Sequence, residues 1–280
     1  MYRMSLTLSP NTPVRKLASR KTLAVYKAAL AEHSLSHPFW RTRTCFQEPP
    51  ESEVWTAAND LQKAVDALLV GDHDTATKYI RSAERPKLLA WGVPIMSVVK
   101  PEIIRWRPID ETKLPPSGRV DTGRFTPSLL DAMYRRDGWR CRFCGCPVVR
   151  PAARNRLGRL LPGAFRWTTC YGDHAGFFVL SGVADHVQPH SWSGPTNLDN
   201  LVTCCQPCNY GRGSAFLSEV GLVDPRRRDP YPADGWDGLE RVLILREPLR
   251  SQEMVSVPVT NTAVWFEFAA LVKTHIGPLA

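Results

Sequence analysis

Apolar residues recur at helical spacing in the first third of the chain. Leu17, Leu23, Tyr26 and Leu30 predict a helix over residues 16 to 34. A better marked stripe, Val54, Ala58, Leu61, Val65 and Leu68, predicts a second helix from about Ser52 to Val70, with Gly71 as its stop. Asp72 or Asp74 can cap a third helix carrying Ala76, Tyr79, Ile80 and Ala83, which makes a helical hairpin. From Arg85 to Pro127 the period lapses into prolines at 86, 94, 101, 108, 115 and 116, so a linker or extended wrapping segment is expected, with a domain boundary near 120. Thr126-Pro127 then reads as the cap and first turn of a short helix through Leu129, Leu130, Met133 and Tyr134 that delivers the chain to Cys141. Asp185-His186 ends a strand. Beyond Gly213 a Pro- and Asp-rich stretch, 224 to 238, precedes a strand-like VLIL at 242 to 245 and an apolar helix around Val264 to Val272. The expectation is an α+β protein in three parts: a helical region at 1–120, a core at 121–215, and a C-terminal strand and helix at 216–280.

Composition sets bounds on partners. The chain has 280 residues, 43% of them hydrophobic and 22% charged, enough for one large domain or two smaller ones. Lys and Arg outnumber Asp and Glu by 36 to 27, a net +9 that suits an acidic partner such as nucleic acid without requiring one. No N-terminal segment has the apolar core of a signal peptide, and no run reaches the length of a membrane span, so a cytoplasmic protein is expected.

Four of the eight cysteines fall into two C-x-x-C pairs, Cys141/Cys144 and Cys205/Cys208. In a reducing compartment such pairs read as metal ligands before disulfides, although a redox pair has the same spacing. Together they can close one tetrahedral zinc site, and a closed four-thiolate shell leaves no position for water, so this ion would hold the fold. Cys146 and Cys204 lie beside the pairs; the shared two-residue gap favours 141, 144, 205 and 208. Eight arginines between 135 and 159 (Arg135, Arg136, Arg140, Arg142, Arg150, Arg154, Arg156, Arg159) face only Asp137 as a counter-charge in that window, and arginine forks suit phosphate oxygens. Arg226 to Arg228 form a second cluster.

Between the knuckles runs GVADHVQPHSWSGPTNLDNLVTCCQPCNYGRG. The order DHVxP, NLDNL, CxxCN and GRG around the knuckles, over residues 141 to 213, resembles the HNH or ββα-metal endonuclease family. The resemblance implies that His186 is the general base, that Asp185 ligates a catalytic metal, and that Asn200 orients the loop and the base histidine. Asn209, standing where many members carry a last histidine, would be the second metal ligand, an H-N-N variant. A hard divalent ion, Mg²⁺ or Mn²⁺, suits such oxygen donors. It would offset charge at the scissile phosphate and yield 5′-phosphate and 3′-hydroxyl ends. Asn197 competes with Asn200 for the central role, but Asn200 has the expected spacing to Cys205.

Within this frame Arg140, Arg142 and Arg212 are expected at the DNA backbone, with His190 a further phosphate contact. The stretch 149 to 181, with Trp167, Phe177 and Phe178, looks like a family-core insertion forming a hairpin. DNA is the expected partner, with no membrane. The rival reading is a non-catalytic zinc-knuckle DNA-binding module, which would need the cysteines and arginines but neither Asp185-His186 nor Asn209. A third is a regulatory protein that keeps the nuclease-like fold as a docking surface.

Overall fold

The computed structural model describes residues 43–96, 116–119, 121–168, 173–229, 231 and 234–246. The helices expected over 16–34 and 264–272 lie outside the described residues. Helix α1, Glu51–Leu69, follows the stripe, burying Val54, Ala57, Ala58, Leu61, Ala64, Val65 and Leu68 on one face. Helix α2, His73–Ser82, begins where the Asp72 carboxylate accepts the Thr75 N–H, and turns Ala76 and Ile80 onto α1.

The prolines that suggested a linker do not prevent a third helix. Helix α3 spans Pro86–Met96 and buries Leu88, Trp91, Gly92, Ile95 and Met96. Pro86 opens it, where a missing N–H costs nothing, and Pro94 falls in its last turn. The apolar period outweighs the proline count.

Helix α4, Pro127–Arg136, is capped by the Thr126 hydroxyl, which accepts the Leu129 N–H at 3.2 Å. Where an inserted hairpin was expected, the chain forms α5, Pro151–Leu160, and α6, Ala175–Val179. Trp167, Phe177 and Phe178 pack inward as core instead of pairing across strands. A two-stranded antiparallel sheet follows, β1 Gly182–His186 and β2 Leu201–Cys205, in the register Gly182↔Cys205 through His186↔Leu201. Helix α7, Gln206–Arg212, leaves β2 directly, with Pro207 in its first turn, and completes a ββα unit. Helix α8, Leu217–Val220, is a single turn. The VLIL segment is not a strand. Glu240–Ile244 is a 3₁₀ helix resting on α5, because Leu239 and Val242 fall at the spacing that buries one side of such a turn.

One apolar cluster holds these parts together. It runs from Cys45 through α1, α2 and α3 into β2 and α7 and on to Val242, across the positions 120 and 215 where boundaries were expected. Helix α3 is the joint, lying against α6 and α7. A Cβ at Gly211 of α7 would stand 2.7 Å from Ile95 Cγ2, so only glycine lets these helices approach so closely. Among the described residues no helix is long and apolar enough to cross a membrane.

Candidate active site and metal centre

The two knuckles meet. The first sits on a tight turn in which Cys141 N–H donates to Cys146 O at 2.8 Å and Gly145 N–H to Cys141 O at 2.9 Å. The second straddles the end of β2 and the first turn of α7. The sulfurs of Cys141, Cys144, Cys205 and Cys208 all lie within 4.8 Å of one another, and all four residues are buried. Cys144 and Cys205 sulfurs stand 3.6 Å apart. Tetrahedral zinc with Zn–S bonds of about 2.3 Å places sulfurs about 3.8 Å apart, so the donor set fits the ion in element, number and spacing.

Electrostatics points the same way. Burial pushes the Cys205 thiol well up, and neighbouring thiols do the same for Cys208. Burial acts against Cys141 too, but hydrogen bonds from the surrounding thiols take it well below the ordinary range. Cys144 is pushed up by Cys141, yet drawn to about 6 by Cys146, Cys205 and Cys208. Four buried sulfurs cannot all carry charge unaided, and a divalent cation removes the conflict. Cys146 and Cys204 remain outside the group. The Cys204 thiol points to its neighbour's carbonyl, Cys205 O, at 3.4 Å.

β1 alternation sends Asp185 inward and leaves His186 half-buried on the opposite face. His186 Nε2 lies 3.0 Å from the Thr196 hydroxyl. Its ring meets the Phe125 ring at 5.4 Å and that of His190 at 5.7 Å, both edge-on. Burial first, then the charges of His190 and Arg212, lowers its pKa to about 4, so the imidazole is neutral at physiological pH.

Asn200 closes the loop between the strands. Its side-chain oxygen accepts the Gln188 N–H at 2.8 Å, and its amide donates to Gln188 O at 3.1 Å and Pro195 O at 2.9 Å. Gly194 leaves room for this, since a Cβ there would collide with Gln188 O and crowd the Asn200 amide. Asn197 caps the same turn, its side chain accepting the Asn200 N–H at 3.1 Å. Asn209 is partly exposed on the first turns of α7. His190 is exposed at the start of a short 3₁₀ turn, His190–Trp192.

Asp185 has a partner that the sequence did not indicate. Its two oxygens are both taken by Arg212, through Nε at 2.9 Å and through Nη2. Arg212 is only 1% exposed and also donates to the carbonyls of His186, Val187 and Ala215. Burial raises the Asp185 pKa, and Arg212 opposes the rise. In this arrangement the Asp185 carboxylate serves Arg212, and a divalent cation beside Asn209 would have to share it with the guanidinium. Among the described residues the four cysteines are the one group of three or more His, Cys, Asp or Glu with metal-binding geometry.

The expected DNA contacts also need correction. Arg140, Arg142 and Arg212 are buried. Arg140 pairs with Asp234 and stacks on Trp55 at 4.4 Å. Arg142 donates to the carbonyls of Pro225, Arg228 and Asp229, drawing that segment onto the first knuckle. Other members of the cluster, exposed Arg136 and half-buried Arg150 among them, are engaged by partners within the protein. Arg136 bonds Asp137 and the carbonyls of Leu198 and Leu201, Arg150 bridges Asp131 and Glu240, and Arg154 lies 3.8 Å over Trp167. These guanidiniums satisfy carbonyls and carboxylates that a small sheet leaves unpaired. Arg124, Arg135 and Arg227 are exposed.

Two residues beside the base were not singled out from sequence, Thr196 and Phe125. The chain between DHVxP and NLDNL offered a hydroxyl at 196 as a signal, but Phe125 had none, being far from the motif.

Residues 179–214 match the family model described as HNH endonuclease, a segment running from the end of α6 through β1, β2 and the second knuckle to the turn after α7. Comparison with curated proteins and with solved structures gives no match. The ββα unit is thus similar to an HNH endonuclease domain, and the four-sulfur cluster lies at its base.

Proposed function

We propose that the protein hydrolyses phosphodiester bonds in DNA, with His186 as the general base on a platform stapled by zinc at Cys141, Cys144, Cys205 and Cys208. The observation that carries this reading is the state of His186 within the HNH-matched segment. Its ring is neutral, half-open, and held by one nitrogen only. With the Thr196 hydroxyl accepting from Nε2–H, the lone pair rests on Nδ1, which has no hydrogen-bond partner among the described residues. A water between Nδ1 and a phosphate would lose its proton to Nδ1 as its oxygen bonds to phosphorus; the bond to the leaving oxygen then breaks, and that oxygen takes a proton from solvent. Asn200 keeps the loop that carries Thr196 in place, and Arg212 keeps β1 in place through Asp185 and the His186 carbonyl. In this reading Asp185 and Asn209 contribute no metal-bound step. Exposed His190, whose ring meets that of His186, and partly exposed Asn209 are left to meet the backbone of the substrate.

Zinc at the knuckles supplies a rigid corner between β2 and α7 and takes no part in bond cleavage. The test is supercoiled plasmid incubated with the purified protein in Mg²⁺, Mn²⁺ or EDTA, beside His186→Ala. Nicking or linearisation by the native chain, lost in the variant while bound zinc is unchanged, is the expected outcome. Equal cleavage by both proteins refutes the role of His186.

One observation favours a second reading, a DNA-binding module without catalysis: the Asp185 carboxylate is buried and paired. That reading expects retained zinc and DNA binding with no cleavage under any metal.

A further inference from the structure

Residues 121–126 cross the open side of the candidate base and are fixed at both ends. The Thr122 carbonyl accepts the Thr196 N–H, so this strap is tied to the residue that also holds His186. Gly123 turns with φ +83°, its N–H donating to Asp121 at 3.0 Å, and lies against Thr196. At the other end Thr126 is the cap of α4. Between these anchors Phe125 is 49% exposed, with one edge on the His186 ring. Of the four large apolar side chains exposed among the described residues, Val70, Phe125, Tyr210 and Ile244, Phe125 is the one whose ring meets the candidate base. A single exposed aromatic is ordinary on a surface. One pinned over the candidate base, beside the exposed cation Arg124, offers a ring face and a charge together.

Resting on the nuclease reading above, we propose that Phe125 stacks an unpaired nucleobase adjacent to the scissile phosphate, with Arg124 on the neighbouring phosphate. In an intact duplex each base already has two stacked neighbours, so an aromatic face serves an unstacked base in a single strand, a frayed end or an extruded nucleotide. Charge complementarity argues for the same occupant, because a protein partner would gain nothing specific from a lone ring beside a histidine. The strap thereby gives the domain a preference for single-stranded or locally opened DNA that the HNH segment itself does not encode.

The experiment measures binding and cleavage separately. Binding is read by anisotropy of labelled single-stranded and duplex oligonucleotides in a His186→Ala background, which prevents turnover, with Phe125→Ala, Phe125→Leu and Phe125→Tyr added in turn. Phe125→Ala and Phe125→Leu should weaken single-strand binding by about 5- to 150-fold, the range for loss of one base–aromatic stack, and change duplex binding much less. Phe125→Tyr should restore it. Cleavage of the single strand by full-length protein with native His186 should show the loss in KM. The pH profile of Phe125→Leu, which keeps an apolar cover on the imidazole, should be unchanged, whereas a mere disturbance of His186 would move the profile and kcat. Single-strand binding that is equal in Phe125→Ala and native backgrounds overturns the stacking role, and so does a Phe125→Leu variant as good as Phe125→Tyr. Phe125-dependent binding without any cleavage sinks the nuclease reading and leaves the stack standing. Normal cleavage with no Phe125 dependence does the reverse.

Discussion

Replacing Arg212 by alanine would expose how much of the site rests on one buried ion pair. The guanidinium is 1% exposed and the Asp185 side chain 6%. The substitution therefore strands a buried carboxylate without its cation, and also frees the carbonyls of His186, Val187 and Ala215. Removing one partner of such a pair costs about 3–5 kcal/mol. The orphaned carbonyls place the expectation at the upper end. Against a total stability of about 5–15 kcal/mol, that is a third or more of the fold.

The assay is denaturant unfolding of zinc-loaded protein followed by tryptophan fluorescence, comparing midpoints at constant slope. Arg212→Met combined with Asp185→Leu should recover much of the loss, since a buried pair replaced by apolar side chains is often neutral. The pH dependence has a definite sign. Burial holds the folded pKa of Asp185 above its ordinary value, so the protonated form is favoured in the fold. That contribution is complete below the unfolded pKa, about 3.9, and fades as pH rises through the folded value. Loss of Arg212 raises the folded value further, so the deficit of Arg212→Ala should be smaller near pH 4 than at pH 7. A destabilisation under about 1 kcal/mol, the worth of a surface pair, would refute the reasoning.

Three further outcomes can be checked. Single-turnover cleavage should fall as pH drops through about 4, where His186 takes up a proton, and stay level above it; a limb near the ordinary histidine value would mean that the ring is solvated in the working enzyme. Cys205→Ser, or a strong chelator, should lower zinc from one ion per chain to none and collapse cooperative unfolding, because four buried thiols have no other means of satisfaction; a folded zinc-free variant seen by calorimetry and metal analysis would remove the knuckle. Asn200→Ala should cost about 2–4 kcal/mol, from three backbone groups that lose a neutral partner, and should raise protease sensitivity of the loop between β1 and β2; thermal unfolding at the native midpoint would contradict this.

Much of the candidate site was legible along the chain because its signals are local. The stripe of α1, the Asp72 and Thr126 caps and the turn-to-helix step after Cys205 depend on neighbours within a few residues, and the structure has them. Proline misled where packing mattered more than number: Pro86 opens α3, where its missing N–H costs nothing, and Pro94 lies inside a last turn that buried Trp91 and Ile95 hold on the core. The aromatics at 177 and 178 suggested a hairpin, and VLIL suggested a strand, because a short apolar run has no period of its own. Whether such a run becomes strand or helix depends on what it packs against.

The amino-acid sequence by itself determined the HNH-matched segment, the four thiols with their shared spacing, and the strand that ends in Asp185-His186. These follow from residue type and short-range order. Only the tertiary structure decided which charges face inward. A buried arginine that feeds carbonyls and a surface arginine that binds phosphate are identical as letters, and Arg140, Arg142 and Arg212 are told apart from Arg124, Arg135 and Arg227 by burial alone. The same holds for Asp185 against Arg212, and for the strap that lays Phe125 on the candidate base. Each joins residues far enough apart along the chain that no local pattern registers them, and the packing of α4 and α7 on a two-stranded sheet is what brings them within reach.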